Sequence, residues 1–229
     1  MDGRFYKVAP FMARKVAKIC FVATVLPIAS AGCSVTGGSQ LHSDVSPLNM
    51  GAAEPYSVVT SEKFPVDAID TSEIEPRFLR QVVEYRSTQP VGTVVVDPHN
   101  RYLYLVEKGG KAVRYGVGVG KEGLAFTGSA SVQDKKEWPH WTPTSSMIAR
   151  EPARYAKWAA GMDGGVGNPL GARALYLFKD GKDTRFRIHG TTEPESIGKA
   201  VSSGCIRMMN QDIIDLYRRV PVGSKVVVL

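Results

Sequence analysis

The stretch Ile188–Met208, IHGTTEPESIGKAVSSGCIRM, holds one histidine and one cysteine, with Ser202, Ser203 and Gly204 immediately before Cys205. The chain has only three cysteines, too few for a disulfide scaffold. A free cysteine is most often a small buried hydrophobe. Here its neighbours are too small to pack against sulfur and leave backbone amides uncovered. A thiol with a pKa of about 8.5 is only a few per cent ionised at neutral pH, so a nucleophilic cysteine needs an adjacent base. His189 is the obvious candidate. It ends the run TRFRIHG, and Gly190 lets the chain turn there and expose the ring. His140, in EWPHWTP, is the rival, although its proline and tryptophan neighbours suggest a loop or lid. Amides of the turn Ser203–Gly204–Cys205 could hold the oxyanion of a tetrahedral intermediate.

Outward from this stretch the chain reads as mainly β. GTVVVD, RYLYLVE and AVRYGVGVG are three strand-like runs separated by the turn clusters PHN and KGGK. In RYLYLVE, Tyr102, Tyr104 and Val106 alternate with Leu103 and Leu105, so both faces are apolar and the strand is interior. His99 is a turn residue. ASVQDKKEWPHWTPTSSMIAR reads as a long excursion, followed by the glycine-rich loop GMDGGVGNPLGA. ALYLF and TRFRIHG form two more strands around the turn KDGKD. NQDIIDLYRRV predicts a helix with Asn210 as cap and Ile213, Ile214 and Tyr217 as its buried stripe. SKVVVL closes the chain as a strand. The catalytic-looking domain therefore spans about Gly92 to Leu229, with one late helix. Upstream, DTSEIEPRFLRQVVEY predicts a short helix capped by Thr71 or Ser72.

The first 32 residues have a different character. MDGRFYKVAPFMARKVAK is basic, the run ICFVATVLPIASAGC is apolar but too short to span a bilayer, and Ala29, Ser30 and Ala31 are small. This is the pattern of a secretory signal over residues 1–32. Cys33, after ASAG, also resembles the lipid-attachment site of bacterial lipoproteins, with Ser30 in place of the usual leucine; Ala31 offers a plain cleavage site. Either processing takes the protein out of the cytoplasm, where an unpaired thiol is a liability unless it is used. Residues 33–91 read as a tether with the short helix near its end, and His42 as a solvated loop residue. Of the 29 basic and 22 acidic residues, five and one lie in the signal, so the net charge of +7 falls to +3 without it. The high basicity belongs largely to the signal and is no argument for nucleic acid, nor is there a basic stripe with interleaved aromatics.

HGTTEPESIGKAVSSGCIRM resembles the signature of the L,D-transpeptidases, in which a histidine precedes a Ser-His-Gly-Cys block by a mid-teens gap. Here residues 190–204 make fifteen intervening positions, and Ile206 and Arg207 fit the residues after the cysteine. WTPT at Trp141–Thr144 and GGVGNPLGARALYLF at Gly164–Phe178 also resemble family blocks. One position departs: the second histidine of the block is Ser203. The resemblance implies a β-sandwich-like catalytic domain and covalent acyl transfer on peptidoglycan, with no cofactor and no metal. Cys205 would attack the third residue of a tetrapeptide stem and expel the terminal D-Ala. His189 would take and return the proton, and the Gly190 carbonyl would orient the ring. Ser203 and Gly204 would lend backbone N–H groups to the oxyanion, and Arg207, Trp141 and Asn168 would line the substrate site. The acyl acceptor would be the amine of a second stem or a lysine of an envelope protein. The setting would be the periplasm or cell envelope of a Gram-negative bacterium, with membrane contact only through a lipid on Cys33.

Three other readings stand beside this one. A hydrolase on the same fold would discharge the thioester to water. A non-catalytic wall-binding lipoprotein would keep the pocket without the chemistry, which the intact Cys205–His189 pair argues against. A redox protein is disfavoured because no Cys-x-x-Cys pair is present.

Overall fold

The computed structural model describes residues 55–121 and 126–229. The expected signal, Cys33 and His42 lie outside the described residues. The strands are β1 (Gln81–Glu84), β2 (Val94–Asp97), β3 (Tyr102–Val106), β4 (Lys111–Gly116), β5 (Val119–Gly120) and β6 (Gly128–Glu137). After the short helices α1 (Ser145–Arg150) and α2 (Pro152–Tyr155) come β7 (Arg173–Lys179), β8 (Lys182–His189), β9 (Ala200–Ser202) and β10 (Ile206–Arg207). Helix α3 (Asn210–Arg219) and β11 (Lys225–Val228) end the chain.

Nine strands form one mixed sheet in the order β1-β4-β3-β2-β11-β6-β7-β8-β10, and β5 pairs with β9 in a separate parallel ribbon. β11 is inserted mid-sheet, parallel to β2 and antiparallel to β6. Alternation sets its faces, since Val226 and Val228 are buried and Val227 is not. The β7–β8 hairpin closes through Asp180 and Gly181, with φ of 50° and 73°. An Asp-Gly pair with both residues at positive φ is the two-residue turn whose twist matches a hairpin. One core cluster contains Val113 and Tyr115 from β4 near one end of the ladder, and Ile188 and Ile206 from β8 and β10 at the other. The sheet therefore curls over one core, which gives the expected sandwich-like layering. Ile213 and Leu216 of α3 enter the same core.

Several local expectations are corrected. No helix forms over 71–83. Asp70 caps a single 3-10 turn at Thr71–Glu73, a second follows at Pro76–Phe78, and Val82 and Val83 pair with β4 in β1. Pro76 cannot donate into a helical ladder, and β-branched residues suit an edge strand. The excursion after Gly128 opens as the ten-residue strand β6, ladder-paired on both sides. Asn210 is not the cap of α3. Met209 holds that place, and the Asn210 amide binds Ala172 N–H at 2.9 Å and Thr191 C=O at 3.1 Å. The third stripe residue is Leu216, fully buried, and Tyr217 packs only at the edge.

The tether over 33–91 is also corrected in its second half. Val66 packs with Trp138, Ala172 and Ile214, and Tyr56, Ile74 and Phe78 pack with Ile197 and Met209. Arg173 of β7 holds Glu62 at 2.6 Å, with both side chains 6% exposed. The apolar residues here are spaced by turns, so no period marks them in the sequence, yet Tyr56, Val66, Ile74 and Phe78 each find a core partner.

The same segment meets α3 through a buried carboxyl. Tyr56 donates its hydroxyl to Asp212 at 3.2 Å, and Arg80 reaches Asp212 at 3.8 Å while lying nearer Asp215, at 3.2 Å. Burial, with the Asp215 charge adding to it, pushes the Asp212 carboxyl up to about 7, because the long Arg80 contact does not offset desolvation. A carboxyl raised in the fold contributes stability at acid pH that is lost as pH rises through about 7. The melting temperature is therefore expected to fall between about pH 4, the ordinary carboxylate value, and about pH 7, at roughly 2–4 °C per kcal/mol. Asp212→Asn, which imitates the neutral carboxyl, should flatten that slope in thermal melts at the two pH values; an unchanged slope would assign it to another group.

Candidate active site

Parallel pairing of β8 with β10 sets Ile188 opposite Ile206 and His189 opposite Arg207. Both isoleucines point into the core. Side chains alternate along a strand, so Arg187, His189, Cys205 and Arg207 share the other face. Cys205, one step before β10, continues the register beside Arg187, whose backbone N–H favours the ionised sulfur. His189 and Cys205 are thus diagonal neighbours on one face, a relation that spans about 7 Å in a sheet. Both line a cleft of about 340 Å³.

His189 is 5% exposed, and its Nδ1 lies 2.6 Å from the Gly190 carbonyl. A carbonyl can only accept, so Nδ1 carries the proton and Nε2 is left as the acceptor. Burial, with Arg207 and Arg187 adding to it, lowers the imidazole to about 4 despite that hydrogen bond. Cys205 is half-buried, and desolvation raises its thiol above the ordinary value, against the Arg187 N–H and the Arg187 and Arg207 charges. At rest the pair is neutral thiol and neutral imidazole.

The turn before the nucleophile is braced from within. Ser202 Oγ donates to the Cys205 carbonyl at 2.6 Å and accepts the Gly204 N–H at 3.1 Å. The Gly204 donor expected for an oxyanion is therefore already committed to Ser202. Gly204, at φ 128°, also passes so close to Gly120 that a Cβ on Gly120 would stand 2.7 Å from its Cα. Among the described residues no hydrogen-bond acceptor is recorded for the N–H of Ser203 or of Cys205.

Trp141 is buried, lines the cleft, and forms a mutual backbone bridge with Met162 at 2.9 and 2.7 Å. That bridge pinches the base of a lid over 142–161, whose Met147, Arg154, Tyr155 and Trp158 wall the cleft. Thr144 starts α1 of the lid by accepting the Met147 N–H at 3.2 Å. Asn168 is a brace and not a lining residue. Fully buried, its amide donates to the carbonyls of Pro139, Met162 and Asp163, and its oxygen accepts Leu170 N–H. The cleft is lined instead by Gly167 and Pro169 on either side. His140 sits outside the cleft, 3.0 Å from Asp163. Arg207 lines it but is paired, at 2.7 Å, with Glu193, which Arg154 of the lid also reaches at 3.1 Å. Sequence reasoning missed Glu193 and the lid arginines, because nothing local marks a residue that meets its partner across a cleft. Among the described residues no group of three or more histidine, cysteine or acidic side chains is placed to hold a metal.

A model of the YkuD L,D-transpeptidase catalytic domain matches residues 92–228. The chain belongs to the L,D-transpeptidase catalytic-domain family. Among curated L,D-transpeptidases it is similar to the probable enzyme YbiS of Escherichia coli, 35% identical over 136 residues, 58% of this chain and 43% of that protein. YcfS, a probable L,D-transpeptidase of the same organism, is 36% identical over 58% of this chain and 42% of its own length. The chain thus spans less than half the length of these L,D-transpeptidase relatives. A solved structure from Brucella melitensis, described as a probable carnitine operon oxidoreductase, is 53% identical over 70% of this chain and 99% of that one. Its TM-score is 0.47, at which the likeness carries no argument about L,D-transpeptidase chemistry.

Proposed function

We propose that the protein is a cysteine-dependent L,D-transpeptidase acting on the tetrapeptide stems of peptidoglycan in the cell envelope. The observation that carries the reading is the 2.6 Å contact of His189 Nδ1 with the Gly190 carbonyl, which leaves Nε2 as a base on the face that holds Cys205. As the sulfur attacks the stem carbonyl, Nε2 takes the thiol proton. The uncommitted N–H groups of Ser203 and Cys205 are the candidate donors to the oxyanion. Collapse of the tetrahedral intermediate breaks the bond to D-Ala, whose amine leaves with the proton returned from His189. The thioester then passes to an amine, on a second stem or on a lysine of an envelope protein, and the thiol is restored. Trp141 and the lid residues narrow the cleft, and Arg207, neutralised by Glu193, borders it.

Incubation with purified tetrapeptide muropeptides tests this. Released D-Ala with a joined dimer is expected; tripeptide alone would mean hydrolysis, and no D-Ala would mean a binding protein. The pH profile follows from the site. Because the imidazole is lowered to about 4, the base stays deprotonated across the neutral range. The rate constant kcat/KM should hold on the acid side down to about pH 5 and then fall about tenfold per pH unit below about 4. An acid limb centred near the ordinary histidine value would show that the ring is solvated in the working enzyme.

A further inference from the structure

The arginines around the cleft are not equivalent. Arg187 pairs with Asp183 at 2.7 Å, and Arg207 and Arg154 share Glu193. Arg150, the last residue of α1, has no carboxylate within ion-pair distance among the described residues. Its guanidinium instead donates to the Ser203 hydroxyl at 3.1 Å. Ser203 lines the cleft two positions before the nucleophile, so a positive charge with a neutral partner sits at the mouth of the site. Arg207 and Arg154 are both paired with Glu193, and Arg154 also reaches Glu151 at 3.7 Å, whereas among the described residues Arg150 meets only the neutral Ser203 hydroxyl at this mouth. A bidentate donor exposed at such a mouth is matched to a carboxylate.

We infer that Arg150 is a specificity-determining residue that reads a carboxylate of the acyl-donor stem, with the Ser203 hydroxyl as its resting partner. The inference rests on the transpeptidase reading and deepens it. Serine at 203 belongs to the device. Its hydroxyl accepts from the guanidinium without competing as a charge, so Arg150 is held over the cleft and released to a stronger acceptor when substrate enters. The Arg154–Glu193–Arg207 chain meanwhile ties α2 of the lid to β10 and keeps the lid closed enough for Arg150 to reach.

The test uses the full chain, thioester formation followed by intact mass, and tetrapeptide stems either with all carboxylates free or amidated at one carboxylate at a time. The wild type is expected to favour the free stem over one of the amidated stems by about tenfold in kcat/KM, equivalent to about 1.4 kcal/mol. Arg150→Ala should lose that preference through KM, and Arg150→Lys, which keeps the charge but not the fork, should recover part of it. Melting curves of the variants are read alongside, and the preference ratio within each variant is independent of the amount folded. An Arg150→Ala enzyme with the wild-type preference, or a wild type indifferent to every amidation, overturns the inference while leaving the transpeptidase reading in place. Absence of a thioester with any stem overturns both.

Discussion

Cys205→Ala is expected to abolish every covalent adduct between the protein and an acyl donor while leaving the fold intact. The substitution removes one half-buried sulfur and leaves the backbone around it unchanged. The turn that carries it is held by other atoms, since Ser202 Oγ binds the Cys205 carbonyl and the Gly204 N–H, neither of which the substitution touches. The loss of stability should be that of a small cavity, about 1 kcal/mol. The chemical loss is complete, because Cys205 is the one thiol among the described residues and the serine and threonine hydroxyls that line the cleft are far less acidic. Intact mass after exposure to a tetrapeptide stem, or to a carbapenem-type acylating agent, reads the outcome directly. Tested in the full chain, the variant keeps Cys20 and Cys33 as internal controls. An adduct surviving on the alanine protein would move the nucleophile elsewhere and remove the basis of the proposed mechanism.

How much of this was legible in the sequence depends on the range of the interaction. Val94–Asp97 and Tyr102–Val106 were readable because alternation and turn residues are local. The β7–β8 hairpin was readable because Asp180–Gly181 can take two positive φ values in succession. β6 was not, since its second half, QDKKE, is polar and half-exposed and owes its strand to neighbours brought in by β7 and β11. Residues 55–91 looked like a tether because their anchors are single side chains with distant partners: Glu62 to Arg173, Tyr56 to Asp212. A lone acid in a turn-rich run has no pattern until its partner is known.

The site divides in the same way. Cys205 and His189 stood out by residue type and by the glycine beside each. The parallel register that puts them on one face could not be read, because β10 is two residues long and carries no period of its own. Asn168 was assigned to the cleft from the family resemblance, whereas a fully buried amide must satisfy its polar atoms, and it does so on three carbonyls and one N–H of the lid base. Gly204 was assigned as an oxyanion donor from adjacency alone. Ser202, passed over as one of two small neighbours, is the residue that braces the turn and takes that donor.

His189→Ala is the second large effect, and its pH dependence distinguishes a base from a packing residue. At neutral pH kcat/KM should fall by about 10²–10⁴, the usual contribution of a positioned proton acceptor. The fold will be weakened, because the Gly190 carbonyl loses its partner and the ring leaves a cavity, so the activity must be normalised to folded protein. Without the base, only sulfur that has already ionised can react. Burial holds the thiol above its ordinary value, so the ionised fraction is small at neutral pH and grows about tenfold per pH unit up to that raised value. The variant should therefore gain rate steadily as the solution becomes alkaline and close part of the gap to a wild type whose own rate is level there. A variant whose deficit is the same at every pH would mean that the ring only fills space behind Cys205. In that case the thiol must lose its proton to some other group, and the neutral pair inferred from burial is not the resting state of a catalytic site.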